Sequence, residues 1–435
     1  ETLIAAGQSL ALTISEGAYV AVTFDEQAAA AGIRYAGGKI VVPEGIDGAF
    51  TLTAAYLYDE TKSATFSFSV ENVGYVTIGA EDAPVDFDLD VTDGKSGKVF
   101  SFDLGEECGT LTSLTVNGED MLSSFEIDGS LLREKTAGGF AKRWGEITLS
   151  ATSEGKDGKT YYITVYALLV TKVLDSYADL QAVSGANGVS DWAADDTAAY
   201  NLYGGYFVLG ADIAVDAGYH GLFGTEGLWT SAGGNYNVKA ASGDDYNHGF
   251  IGTFDGRGHT ISGMTMTLSA NNGNGTWGFI PVLKKDGVLK NIGFTDASAD
   301  KSNFLVSYLA GTVENVYVKY KSIVVNGGNW ATIDIKGGTT FGTMNCVFVD
   351  ATEATFSGTG TVYLGGFWSA AGQYNYALGA DRVTAAGLTK GGGRSTDRNT
   401  AADLTADDLW VIRTYYVADC WTIVDGLPVM TPVNG

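Results

Sequence analysis

The stretch Phe250–Met264, FIGTFDGRGHTISGM, reads as two short strands set around two corners. Asp255-Gly256 is a strong turn pair, and Gly258 permits a second tight corner. Phe250 and Phe254 are expected to face a core, with Ile261 opening the next strand. His259 invites a catalytic reading, but it sits inside a structural phrase, so a hydrogen-bonded turn or core histidine is expected.

Downstream, short strand-like phrases recur: Gly287–Phe294 (GVLKNIGF), Gly311–Tyr320 (GTVENVYVKY), Gly342–Val349 (GTMNCVFV) and Gly360–Gly366 (GTVYLGG). Their starts are 24, 31 and 18 residues apart, in the range of one coil of a solenoid. Such coils stack strand on strand, with inward side chains forming a continuous core and insertions held in the turns. Seven of the eight tryptophans, all but Trp144, fall after Val173 with this texture.

Upstream the pattern differs. Alternating runs rich in Val, Thr, Tyr and Phe are broken by turn residues: Leu10–Ile14, Tyr19–Phe24, Lys39–Val42, Ala49–Tyr58 and Ala64–Val70. A second set comprises Val85–Val91, Val99–Leu104, Leu111–Val116, Ile147–Ala151 and Thr160–Val170. Each set predicts a β-sandwich. The expected fold is all-β: sandwiches over 1–72 and 73–172, then a parallel β-helix over 173–435 with an aromatic-rich insertion at 216–249.

The chain has 435 residues and 60 glycines, about 14%, roughly twice the usual share. Apolar residues make up 45%, enough to bury real cores. The formal charge of −25 argues against nucleic acid as a partner, since phosphate binding needs clustered Lys and Arg. No run of about 20 apolar residues predicts a transmembrane segment. The chain starts at Glu1 rather than Met, the expectation for a mature chain whose signal peptide was removed, and its C-terminus carries no sorting signal. Cys108, Cys346 and Cys420 are too far apart for a metal-ligand motif, and three cysteines cannot all pair within one chain.

Phe250–Met264 is similar to the F-x-G-x-F-D-G-x-G-H-x-I stretch that opens the right-handed parallel β-helix of many bacterial surface proteins carrying GLUG-type repeats. Tyr206–Ile213 (YFVLGADI) looks like the strand preceding it, and Trp421–Val429 (WTIVDGLPV) like the closing W-x-I-x-x-G-x-P strand. Residues 1–72 resemble bacterial immunoglobulin-like modules in length and pattern. The resemblance implies surface display rather than a particular chemistry.

Two segments offer binding chemistry. The insertion carries Trp229, Tyr236 and Tyr246 among Gly, Asn, Ser and Asp, and a second aromatic group holds Phe367, Trp368, Tyr374 and Tyr376. Aromatic faces amid amides and carboxylates hold sugars by stacking and hydrogen bonding, but the first expectation for these rings is that they cap the open end of a solenoid, where a cap is needed. Trp229, Tyr236, Tyr246, Trp368 and Tyr374 are the candidate glycan-binding residues. Asp86, Asp88 and Asp90 alternate, followed by Asp93-Gly94. If the run is a strand, three like charges share one face and must be solvated or bridged by Ca²⁺, the one candidate cation.

No HExxH, GxSxG or P-loop pattern occurs, and no catalytic residue is assigned. The expected role is that of a secreted or cell-surface protein, extracellular and non-catalytic. It would be a surface-layer or filament subunit that self-assembles, or an adhesin binding glycans on a host or matrix surface. A polysaccharide lyase or hydrolase working in a β-helix groove is one alternative, and a phage fibre or decoration protein another.

Overall fold

The computed structural model describes residues 2–12, 20–90, 98–136, 144–184, 204–216, 218, 219, 221, 222, 250–267, 278–333, 342–366, 371–393 and 395–433. The chain divides into two compact units. One comprises Glu1–Asp86, Val99–Thr136 and Glu146–Leu168; the other comprises Phe87–Lys98, Ala137–Gly145 and Leu169–Gly435.

In the first unit, a four-stranded sheet runs in the order Thr2–Ala5, Asp59–Glu71, Gly48–Tyr56, Val20–Phe24. A three-stranded sheet is built from Ser9–Ala11, Lys39–Val41 and Arg34–Ala36. Alternation sends Phe50, Leu52, Phe68 and Val70 inward to meet Ile4, Ile33, Ile40 and Val42 in one sandwich-like core. The short helix Glu26–Ala30 also contributes Ala28. Five residues are too few for a helical period to be read from sequence, and the helix depends on Asp25, whose carboxylate accepts the Ala28 N–H at its N-terminus.

A second set of sheets in this unit has Gly145–Glu154 and Thr160–Val170 at its centre. Tyr161, Ile163 and Val165 are buried, while Tyr162 and Thr164 lie on the opposite face, as the period of two requires. The run from Val85 is shorter than its alternation implies. The strand ends at Asp88, and Asp90 takes a left-handed backbone with φ 55°.

The second unit is dominated by parallel pairing. Lys172–Leu174, Tyr206–Leu209, Thr253–Asp255, Val288–Asp300, Thr312–Ala331, Thr343–Asp350, Tyr376–Leu378 and Thr396–Arg398 follow one another across a fourteen-stranded sheet. Three of the recurring phrases are in register: Val288 pairs with Thr312, which pairs with Thr343. The glycine heading each phrase has a steric cause. A Cβ on Gly311 would stand 2.2 Å from the Gly287 carbonyl oxygen, and one on Gly342 equally close to that of Gly311. The fourth phrase departs from this column. Gly360 lies inside the strand Thr355–Tyr363, whose Thr361 pairs with Asn329 near the far end of Thr312–Ala331.

Inward side chains form an aromatic file. Rings follow one another in edge contact from Phe254 to Phe279 (5.1 Å), Phe294 (5.1 Å), Phe304 (5.6 Å) and Tyr320 (5.4 Å). The four phenylalanines are fully buried. Asp255 holds the corner of the opening phrase. Its carboxylate accepts the Arg257 N–H at 2.9 Å and the Asn291 amide at 3.0 Å, and lies 3.5 Å from Lys290 Nζ. His259 fills the turn role expected of it: its N–H donates to the Gly256 carbonyl, and its ring nitrogen lies 3.4 Å from Asp212.

The closing phrase is a hairpin rather than a single strand. Trp421–Val424 pairs antiparallel with Leu427–Met430. Asp425 and Gly426 at the tip both have positive φ, the geometry of a two-residue hairpin turn.

Candidate functional site

The site grows from a column of corners. Asn291, Asn315, Cys346 and Tyr374 all carry left-handed backbone, with φ of 52°, 52°, 50° and 64°. They stand at matching positions: Lys290 pairs with Glu314, Glu314 with Asn345 and Asn345 with Gln373. Asparagine takes this conformation readily, but a tyrosine rarely does, at a cost of about 1–2 kcal/mol.

The segment 415–421 runs along this column. Tyr416 donates its hydroxyl to the Tyr374 carbonyl at 2.6 Å, and the Cys346 thiol faces the Tyr415 carbonyl at 3.4 Å. Farther along, the Cys420 thiol lies 3.4 Å from Asn291 Oδ1, and Trp421 Nε1 donates to Asn315 Oδ1 at 3.1 Å. Beneath it, Phe348, Tyr376, Ile412, Tyr416 and Trp421 form an apolar cluster. The helix Ala406–Tyr415 that leads into this segment, a strap over the column, is fixed by a capping box: Thr405 and Asp408 bond reciprocally. Burial alone would raise the Asp408 pKa, but the Thr405 N–H and the Arg398 guanidinium at 2.7 Å hold it below its ordinary value.

Three aromatic rings come together at the end of this helix. Tyr374 and Tyr415 stack with centroids 3.6 Å apart and planes within 10°. Trp410 meets Tyr415 edge-on at 6.1 Å. Trp410 is 60% exposed and Tyr415 37%, the reverse of what hydrophobic burial favours. The Tyr374 hydroxyl titrates above its ordinary value, chiefly through its hydrogen bond to Tyr415. One ring of the platform sits on a left-handed corner, and the other two sit on a capped helix.

Of the five candidate glycan residues, Tyr374 belongs to this platform. Trp229, Tyr236, Tyr246 and Trp368 lie outside the described residues. Tyr376, grouped with Tyr374 in sequence, is buried in the apolar cluster instead. Trp410 and Tyr415 were missed, although Thr405-x-x-Asp408 before an apolar run is a helix-start signature.

The acidic run does not form one charged face. Asp86 is exposed, and Asp90 leaves the strand to pair with Lys172 at 2.6 Å. Lys98 stands 3.6 Å from Asp88 and 3.9 Å from Asp90. The Asp88 carboxylate also accepts the Asp90 N–H, which is what bends the chain there. Asp93 lies outside the described residues. Among the described residues, no three His, Cys, Asp or Glu side chains converge as metal ligands. No helix among them is long and apolar enough to cross a membrane.

No family model matches the chain. It is 33% identical over 149 residues to halomucin of Haloquadratum walsbyi, a match covering 34% of this chain and 1% of that protein. Among solved structures, a Bacteroides ovatus SGBP-B in complex with a mixed-linkage heptasaccharide shares 11% identity with a TM-score of 0.17, over 38% of this chain and 43% of that one. Mouse cadherin-23 EC22-24 gives 11% and 0.12, over 39% and 62% of the two chains, and Drosophila N-cadherin EC1-4 gives 12% and 0.14, over 39% and 47%. Overlaps of that size carry no argument about fold or ligand, and the chain spans about a hundredth of the curated relative it matches.

Proposed function

We propose that this chain is a carbohydrate-binding, adhesive part of a secreted or cell-surface protein, with the Tyr374–Tyr415–Trp410 platform as a sugar-stacking surface. The carrying observation is the exposure of Trp410 beside a tyrosine stack held on strained backbone. A bare tryptophan face desolvates at low cost against the C–H face of a pyranose, and strain retained at one residue is a signature of use. The halomucin match supports extracellular display.

The architecture proposed with this role is two sandwiches over 1–72 and 73–172 and a right-handed parallel β-helix over 173–435. Its support is that Thr253–Asp255, Thr260–Ser262 and Thr265–Thr267 all pair with the single long strand Val288–Asp300. The parallel pair Val282–Leu283 and Tyr308–Leu309 supplies a further side of the coils. Assembly into a layer or filament belongs to the same proposal, and electron microscopy of the purified chain tests it.

Binding is tested by titrating a panel of soluble oligosaccharides into the full chain. Trp410→Ala is expected to weaken binding about tenfold, the equivalent of about 1.4 kcal/mol, with an unchanged melting temperature. Equal affinity of variant and wild type would remove the platform from this role.

A further inference from the structure

We infer that the first unit carries a second carbohydrate-binding face, on the outer side of the sheet containing Gly145–Glu154, Thr160–Val170 and Val73–Ile78, and that its ligand is an uncharged, extended polysaccharide. The inference rests on the carbohydrate reading above and concerns a different unit of the chain.

The six outward residues at the middle of this face are Ser150, Thr152, Tyr162, Thr164, Tyr75 and Thr77. Each carries a hydroxyl and none carries a charge, on a chain whose acidic residues outnumber its basic ones 51 to 26. Tyr162 pairs across the strands with Tyr75, and their rings stack at 5.7 Å and 24°. Tyr75 is 60% exposed and Tyr162 41%. The stack covers one face of each ring, yet Tyr75 remains mostly exposed. This exceeds what a cross-strand pair needs for stability, which is gained from the shared face alone.

The hydroxyls beside the rings are already in a network: Thr152 Oγ1 lies 2.7 Å from Thr112 Oγ1 and 2.7 Å from Ser113 Oγ. Such groups donate and accept at once, as sugar hydroxyls do. The strands fix them in a plane, so little side-chain entropy is lost on binding. Charge selects the ligand class. With no cation among these six residues to pair a uronate or sulfate, and a net −25 to repel polyanions, a neutral chain is the fitting occupant.

Native electrophoresis of the full chain through gels containing a neutral glucan, galactomannan or xylan, or the polyanion alginate, tests this. Retardation is expected in a neutral gel. Tyr75→Ala with Tyr162→Ala should weaken it about tenfold. Ser150→Lys with Thr164→Lys, which keeps the ring stack and guards against simple misfolding, should do the same. If both double variants migrate as wild type in a gel that retards wild type, or retardation occurs only in alginate, the inference is overturned. Loss of all retardation in Trp410→Ala, with both face variants retained, overturns it while leaving the first platform standing. Failure of every gel to retard the wild type overturns both.

Discussion

Single residues carry more than their type announces. Cys346 and Cys420 are buried at the corner column, not exposed as reactive thiols. Desolvation pushes Cys346 up to about 11, with the Glu314 charge adding to it, and desolvation pushes Cys420 up to about 12. Burial raises Cys108 as well. At pH 8 all three remain protonated, and the thiolate is the reacting form. Ellman's reagent should therefore titrate almost no thiol in the native chain and three per chain in guanidinium; rapid labelling of even one native thiol would contradict the buried placement. Cys346 also explains why that column was hard to read. Asn291 and Asn315 are residues that favour left-handed backbone, but nothing in a cysteine or a tyrosine announces it, so the link from Asn291 to Tyr374 is visible only once the strands are in register.

Elements were legible where one local period decides them. Thr160–Val170 has the bounds its alternation predicts, and the glycine-headed phrases at 287, 311 and 342 fall in one register. The helix Ala406–Tyr415 was not seen, because its apolar residues Leu409 and Ile412, with Tyr416 just beyond its end, serve a cluster whose other half comes from strands 30 to 100 residues earlier. For the same reason the aromatic platform proposed for binding was only one-third legible: Tyr374 could be named, but the exposure of Trp410 depends on which helix face that cluster claims. The strap offers a test. Trp421 is 8% exposed and bonds Asn315. Trp421→Ala should cost about 3–5 kcal/mol. Chemical denaturation measures this, and a loss under 1 kcal/mol would mean that the strap is not part of the cooperative structure.

Acid acts on the molecule as a whole. Asp25 is held below its ordinary value by the Ala28 and Thr51 N–H groups, and Asp103 by the Gly105 N–H. Asp179 and Asp408 are also lowered, because hydrogen bonds and their Lys172 and Arg398 partners outweigh the burial that would raise them. A carboxylate with a depressed native pKa binds its proton more readily when unfolded. Its stabilising contribution is complete above the ordinary value of 3.8 and is lost as pH falls through the lower native value. Melting temperature should thus hold steady from pH 7 to about 5 and drop steeply below pH 4. A melting temperature that rises on acidification to pH 3 would show that relief of the −25 charge outweighs these four groups.

The strap also dictates an order of events during synthesis. Asn291, Asn315 and the outward rings of Phe348 and Tyr376 leave the ribosome well before residues 415–421, which cover them. Until then the nascent parallel strands present an apolar stripe to one another and to other chains, a surface fit for chaperone capture or for mispairing between neighbours on a polysome. Contacts made by Thr431 and Val433 against Gly258 and Arg257 arrive later still, closing a loop of more than 170 residues. The parallel strands can pair one after another as they emerge, yet the face that carries Phe348 and Tyr376 is completed only by sequence that arrives afterwards.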